Sequence, residues 1–253
     1  MYLSRIQINP QRRGARKLLG SPQAMHAAVL AAFPQTSTEL GRVLWRVDDD
    51  EHRHWLYVLS PVPPDFSHIV EQAGWPSTDA GWQTRPYEKL LNNLATGQKW
   101  VFRLTANPTR TSTATGYRRA VDSEGQPSGE FIYPSTGEDR PSKRHAHSTV
   151  AHQLDWLLRP NPKTGVSRAE RWGFEIPLTG AGTPDVVVHD RRVEHFGRTD
   201  HNTGSRGQVT IAKATYGGIL EITDVDAFRA ALVGGMGPAK GYGCGLLTLA
   251  PLS

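Results

Sequence analysis

The run Gly234 to Leu252, GGMGPAKGYGCGLLTLAPL, constrains this chain more than any other stretch, because it sets six glycines and Lys240 directly ahead of an apolar closing segment. Glycine at this density lets a backbone reach positive φ repeatedly and lets a bulky ligand approach its N–H groups. With the charge of Lys240 added, the positions Lys240, Gly241, Gly243 and Gly245 suit an extended anion, phosphate being the common one. The alternative is a tight turn with no ligand. Two familiar phosphate loops fail on context: the Gly-x-x-x-x-Gly-Lys-Ser/Thr pattern is absent, and a dinucleotide fingerprint opens a helix, whereas these glycines lead into a strand at Gly245 to Leu252.

A chain of 253 residues is long enough for two domains, each with its own core. Its 29 Lys and Arg against 24 Asp and Glu give a formal charge of +5, a balance that fits a nucleic-acid partner. The one cysteine, Cys244, excludes an internal disulfide and a multi-cysteine zinc site, and points to a reducing compartment, the cytoplasm. No apolar run is long enough to span a bilayer and no signal-peptide core follows Met1, so neither membrane insertion nor secretion is expected.

Met1 to Ile8 alternates as a strand, with Tyr2, Ile6 and Ile8 on one face, and Asn9-Pro10 ends it. Gln11 to Gly20 is expected as a loop whose Arg12, Arg13, Arg16 and Lys17 make a basic patch, either an anion-binding arm or a solvated surface. Ser21-Pro22 starts a helix, with Met25, Val29, Ala32 and Phe33 on its inner stripe. His26 sits at the edge of that stripe, in the first turns, where the helix dipole disfavours the imidazolium. Such a histidine suits acid–base work; it is also compatible with a merely half-buried structural residue.

Arg42 to Val47 and Trp55 to Leu59 are expected to pair, and the acidic Asp48 to Glu51 between them reads as a polar turn, since adjacent residues cannot all face one metal ion. With a short helix at Asp65 to Gln72 and a strand at Trp100 to Ala106, the order is β-α-β-β-α-β, which is ferredoxin-like. Thr109 to Arg140, poor in apolar residues, is expected as a long flexible loop or hairpin. A helix then covers Val150 to Leu158, strands cover Trp172 to Leu178, Asp185 to Arg191, Gln208 to Ala214 and Gly217 to Ile222, and a helix covers Asp224 to Leu232. His145, His147 and His152 match no zinc spacing and are read as surface residues. The class is α+β, with two tandem ferredoxin-like (RRM-like) domains: 1–108, carrying His26; 109–147, a flexible basic connecting segment; and 148–253, carrying the C-terminal glycine-rich loop.

The opening MYLSRIQINP, the helix SPQAMH, the strand-to-loop WVFRLTANPT, the Lys-Arg pair ahead of DWLL and the glycine run resemble, in order and spacing from end to end, the CasE family. These are the CRISPR RNA endoribonucleases of type I-E systems and subunits of the Cascade complex. The resemblance implies that the chain binds the repeat hairpin of precursor CRISPR RNA and cleaves at its 3′ base with neither metal nor cofactor. It implies as partners that RNA and the other Cascade subunits, with a monomeric free protein and no membrane. It assigns His26 as catalytic and places Lys143 and Arg144 near the scissile phosphate or hairpin. With RNA as the partner, the candidate RNA-binding residues are Arg12, Arg13, Arg16, Lys17, Arg103, Asn107, Arg110, Lys240, Gly241, Gly243 and Gly245. Some relatives carry a tyrosine three positions before the histidine; this chain has Gln23 there, which cannot transfer a proton.

Without a metal, RNA is cut by its own 2′-OH attacking the adjacent phosphorus, leaving a 2′,3′-cyclic phosphate or 3′-phosphate and a 5′-OH. His26 is then the base on the 2′-OH or the acid on the leaving 5′-oxygen, with nearby cations stabilising the developing charge. Two other classes stay open: an inactive RNA-binding subunit of the same fold, and a small-molecule enzyme that holds phosphate in the glycine loop.

Overall fold

A computed structural model of the chain describes residues 1–34, 41–50, 53–75, 81–111, 118–121, 127–132, 144–199 and 206–252. Strand β1 (Tyr2–Ile8) turns Ile6 and Ile8 inward and is followed by α1 (Arg13–Leu19) and α2 (Pro22–Leu30). The α1 segment is a helix where a loop is expected. Arg, Lys, Leu and Ala are strong helix formers, and Ala15 and Leu18 supply a short buried face that the run of charges conceals. Gly14 lets α1 close on the third helix: a Cβ there would stand 2.3 Å from the Gln72 carbonyl oxygen. In α2, the Ser21 side chain accepts from the Ala24 N–H at 3.2 Å and Pro22 takes the first position, while Met25 and Val29, one turn apart, are buried.

The chain continues through β2 (Leu44–Asp50), β3 (Arg53–Ser60), α3 (Ser67–Ala73), β4 (Trp82–Pro86) and α4 (Glu88–Asn93). The first sheet is antiparallel, in the order β2-β3-β1-β4, which is the ferredoxin-like arrangement. Its fourth strand is β4 and not the segment Trp100 to Ala106. The sequence WQTRP carries little strand signal because β4 is a largely exposed edge, where a terminal proline is tolerated.

Strand β5 (Lys99–Ala106) instead pairs with two strands of a second sheet. Residues 109–147 form a compact unit of their own, separate from 1–108 together with 148–253. Within it β6 (Thr109–Thr111) and a later strand pair, and β7 (Arg118–Val121) pairs with β8 (Pro127–Ile132); the partner of β6 is β9 (Arg144–Ala146).

Then come α5 (Val150–Leu158), α6 (Arg168–Arg171), β10 (Phe174–Glu175), β11 (Val186–Thr199), β12 (Arg206–Ile222), α7 (Val225–Gly234) and β13 (Leu247–Ala250). The sheet order β10-β12-β5-β13, with β11 also along β12, repeats the arrangement of the first sheet. The second ferredoxin-like fold therefore takes its first strand from before residue 108. Strand β12 is continuous where two strands are expected, because Gly217 and Gly218 mark close approach and not a break. Added Cβ atoms would lie 2.4 Å from the His189 ring and 2.1 Å from the Asp185 carbonyl oxygen. No helix among the described residues is long and apolar enough to cross a membrane.

The two sheets share one apolar cluster, in which Leu44 and Leu59 of the first join Phe102, Leu104 and Trp156. They are also tied by Arg46 of β2, 1% exposed. Its Nε and Nη2 donate to the two oxygens of Asp48 at 2.5 and 2.8 Å, Nη1 to the carbonyls of Arg103 and Leu246 at 2.7 and 2.8 Å, and Nη2 also to Thr248 Oγ1 at 2.7 Å. All five guanidinium donors are used. Arg46→Leu leaves a buried carboxylate and two carbonyls without their donor, so the expected loss is about 3–5 kcal/mol of unfolding free energy, measured by urea titration.

Candidate functional site

His26, half-buried on α2, is held between β2 and the glycine run. On one side the Trp45 indole N–H donates to its Nδ1 at 3.4 Å. On the other, a Cβ added to Gly241 would stand 3.4 Å from its Nε2, so the glycine leaves that nitrogen uncovered. The Tyr242 ring is tilted toward the imidazole with centroids 6.5 Å apart, and Phe196 of β11 packs on Tyr242 at 4.9 Å. Burial lowers the His26 pKa below its ordinary value. Near neutral pH the ring is therefore uncharged. Gln23, one turn earlier on α2, is exposed.

The glycine run is a built turn. Gly235, Gly237, Gly243 and Gly245 have φ between 77° and 90°, and Lys240–Tyr242 form one 3-10 turn between left-handed Ala239 and Gly243. Here Gly243 is required twice, by its φ of 81° and because a Cβ would press on the Trp45 ring at 2.7 Å. Lys240 donates to the Gly234 carbonyl at 2.8 Å, at the end of α7, and burial together with the charge of Arg42 lowers its pKa. Its first commitment is thus to its own loop, where it covers a carbonyl that the helix end leaves open.

The basic arm divides in the same way. Arg12 donates to the carbonyls of Val70 and Gly74 at 3.3 and 3.1 Å, which caps α3, whereas Arg13, Arg16 and Lys17 project from the outer face of α1. Arg103 on β5 is partly exposed and lies 3.6 Å from Asp48. Asn107 is buried, and its Oδ1 has no hydrogen-bond partner among the described residues. Arg110 is exposed on β6 and Arg144 lies on β9, both in the unit 109–147, while Lys143 lies outside the described residues.

The acidic segment after Val47 serves ion pairing. Asp48 holds Arg46, and Asp49 accepts from His54 and Arg192 at 2.5 Å each. Burial would raise the Asp49 carboxyl, but those two hydrogen bonds hold it below its ordinary value. A cavity of about 160 Å³ beside Trp45 is lined by Asp49, Asp190 and Glu194 against Arg192 and Lys213. Its charges largely cancel, so it is no anion pocket. Sequence reasoning misses Trp45, Tyr242 and Phe196. The first hides in an ordinary strand pattern, the second among the glycines that flank it, and the third beyond the point where β11 is expected to stop.

A family model described as CRISPR associated protein matches residues 1–251. The CRISPR-associated endoribonuclease Cse3 of Thermus thermophilus is 28% identical over 254 residues, covering 99% of this chain and 100% of its own length. The CRISPR system Cascade subunit CasE of Escherichia coli is 28% identical over 231 residues, covering 88% of this chain and 96% of its own. A solved structure of Cse3 bound to a 19-nucleotide RNA superposes with a TM-score of 0.67 at 26% identity, over 99% of this chain and 100% of that one.

Two substitutions separate the roles of the loop glycines. Gly243→Val meets both the positive φ and Trp45, and is expected to lower the melting temperature sharply or abolish folding. Gly241→Ala meets only ordinary contact, so its stability should stay within about 0.5 kcal/mol of the parent while a methyl group is set against His26 Nε2. Paired thermal melts check both.

Proposed function

Because this chain belongs to the CRISPR associated protein family, whose model spans residues 1–251, we propose that it is the endoribonuclease that processes precursor CRISPR RNA. In this reading it binds the repeat hairpin, cleaves at the hairpin's 3′ base without a metal ion, and stays on the product as a Cascade subunit in the cytoplasm. The observation that carries the reading is the placement of His26: a neutral imidazole whose Nε2 faces Gly241 in the turn, in a chain alike end to end with an endoribonuclease.

The 2′-OH attacks in line, a 2′,3′-cyclic phosphate forms and the 5′-oxygen departs, a route open to RNA alone. His26 acts at the scissile phosphate. Lys143 and Arg144 supply cations there, on the strength of their match to the family's pattern. Arg13, Arg16 and Lys17 reach the phosphates of the stem, and the backbone N–H groups of the glycine turn, with the donors Lys240 has left after Gly234, add further contacts. Arg12 and Gly243 support the site by holding α3 and Trp45.

His26→Ala should leave hairpin binding nearly intact and lower single-turnover cleavage by about 100-fold or more. Cleavage should be unaffected by EDTA and yield cyclic-phosphate and 5′-OH ends. A mutant that binds and cuts like the parent would remove His26 from the mechanism, and a strict need for Mg²⁺ would replace the mechanism altogether. Converting Arg16 and Lys17 to alanine should weaken binding and flatten the plot of log K against log[salt] by about one to two units. Parental affinity and slope in that variant would move the RNA to another face.

A further inference from the structure

We propose that Trp45 is a positioning residue that holds the neutral His26 ring in the tautomer with its proton on Nε2, so that His26 meets the scissile phosphate as a hydrogen-bond donor. The first half of this stands on the geometry alone; the second rests on the endoribonuclease reading.

An indole N–H can only donate. The imidazole nitrogen that faces it, Nδ1 at 3.4 Å, must therefore present a lone pair, and in a neutral ring the proton is then on Nε2. Both proton-transfer roles run against this arrangement. A general base at Nε2 needs the proton moved to Nδ1, which sets N–H against N–H. A general acid needs the imidazolium, which carries N–H on both nitrogens and meets the same opposition, while burial already disfavours its charge.

Trp45 itself is fixed. It is 3% exposed, Gly243 gives its ring room, and Lys213 lies 5.9 Å from the ring centroid. The charged and titratable groups on the surrounding elements do not rescue the imidazolium. Glu194 of β11 is paired to Lys213 of β12 at 2.6 Å, and Lys240 is bonded to the Gly234 carbonyl with Arg42 nearby.

A neutral imidazole N–H aimed at an oxygen that gains charge stabilises a transition state without transferring its proton. The bookkeeping of the step is then complete without the ring. The 2′-oxygen-to-phosphorus bond forms, the bond from phosphorus to the 5′-oxygen breaks, water takes the 2′ proton, and water returns one to the leaving oxygen.

The test is long-range ¹H–¹⁵N correlation on the full chain labelled at histidine, with His26→Gln used to assign its signals. The expected result at neutral pH is an acceptor-type Nδ1 and a protonated Nε2 for His26; a protonated Nδ1 or an even mixture overturns the proposal, with no variant required. Trp45→Phe keeps an aromatic ring and deletes the donor. In the folded variant the His26 titration should move to higher pH and the tautomers should mix; an unmoved titration and an unchanged tautomer overturn the role of Trp45. Because Nε2–H is present in the neutral ring and in the imidazolium alike, the pH–rate profile for a repeat hairpin should show no break at the His26 titration, in the parent or in Trp45→Phe. A rate that falls as pH drops through that titration assigns a general base, one that falls as pH rises through it assigns a general acid, and either ends the donor role. If the tautomer is as expected and no RNA is cut, the endoribonuclease reading fails while the assignment of Trp45 stands.

Discussion

The buried guanidinium of Arg46 is the contact on which the arrangement of the two sheets depends. Apolar area draws Leu44 and Leu59 toward Phe102 and Leu104, but such contacts are non-directional and leave a sheet free to slide. Five directed hydrogen bonds to Asp48, Arg103, Leu246 and Thr248 are not. Two of those acceptors lie at the start of β13 and just before it, and the glycine turn precedes them directly in the chain. The position of that turn against α2 is thus set from β2, the strand that also carries Trp45.

The site is consequently a short series of contacts in which each member constrains the next. Arg46 fixes β2 against Leu246, the left-handed Gly243 accommodates the indole of Trp45, and the indole orients the imidazole. Several conspicuous cations work for the scaffold: Arg12 closes the end of α3, Lys240 closes the end of α7, and Arg192 neutralises Asp49. A count of positive charge therefore overstates the surface that an anion meets. The outward residues of α1 are among those left for a partner.

Much of this was legible in the sequence, for identifiable reasons. His26 stood out because a Ser-Pro start fixes a helix register and the apolar spacing fixes its inner face, so an imidazole at the edge of that face could be placed without coordinates. The turn at Gly243 and Gly245 stood out because only glycine takes positive φ cheaply. What escaped depends on contacts distant in sequence. Strand β5 has the same pattern whichever sheet it joins, and only its pairing with β12, more than a hundred residues on, assigns it. The helical state of Arg13–Leu19 follows from Gly14 seating against Gln72, and the worth of Trp45 from one hydrogen bond to a residue 19 positions away.

The unit 109–147 enters the second ferredoxin-like fold between its first strand, β5, and its first helix, α5. In this fold the strand-to-helix connection lies outside both the sheet ladder and the shared core, so chain added there interrupts no strand pairing. Closing a longer connection costs little, about 0.6 kcal/mol for each doubling of its length. The junctions at Pro108 and Ser148 thus mark a place where chain can be lengthened, shortened or exchanged without re-pairing a strand of the second sheet.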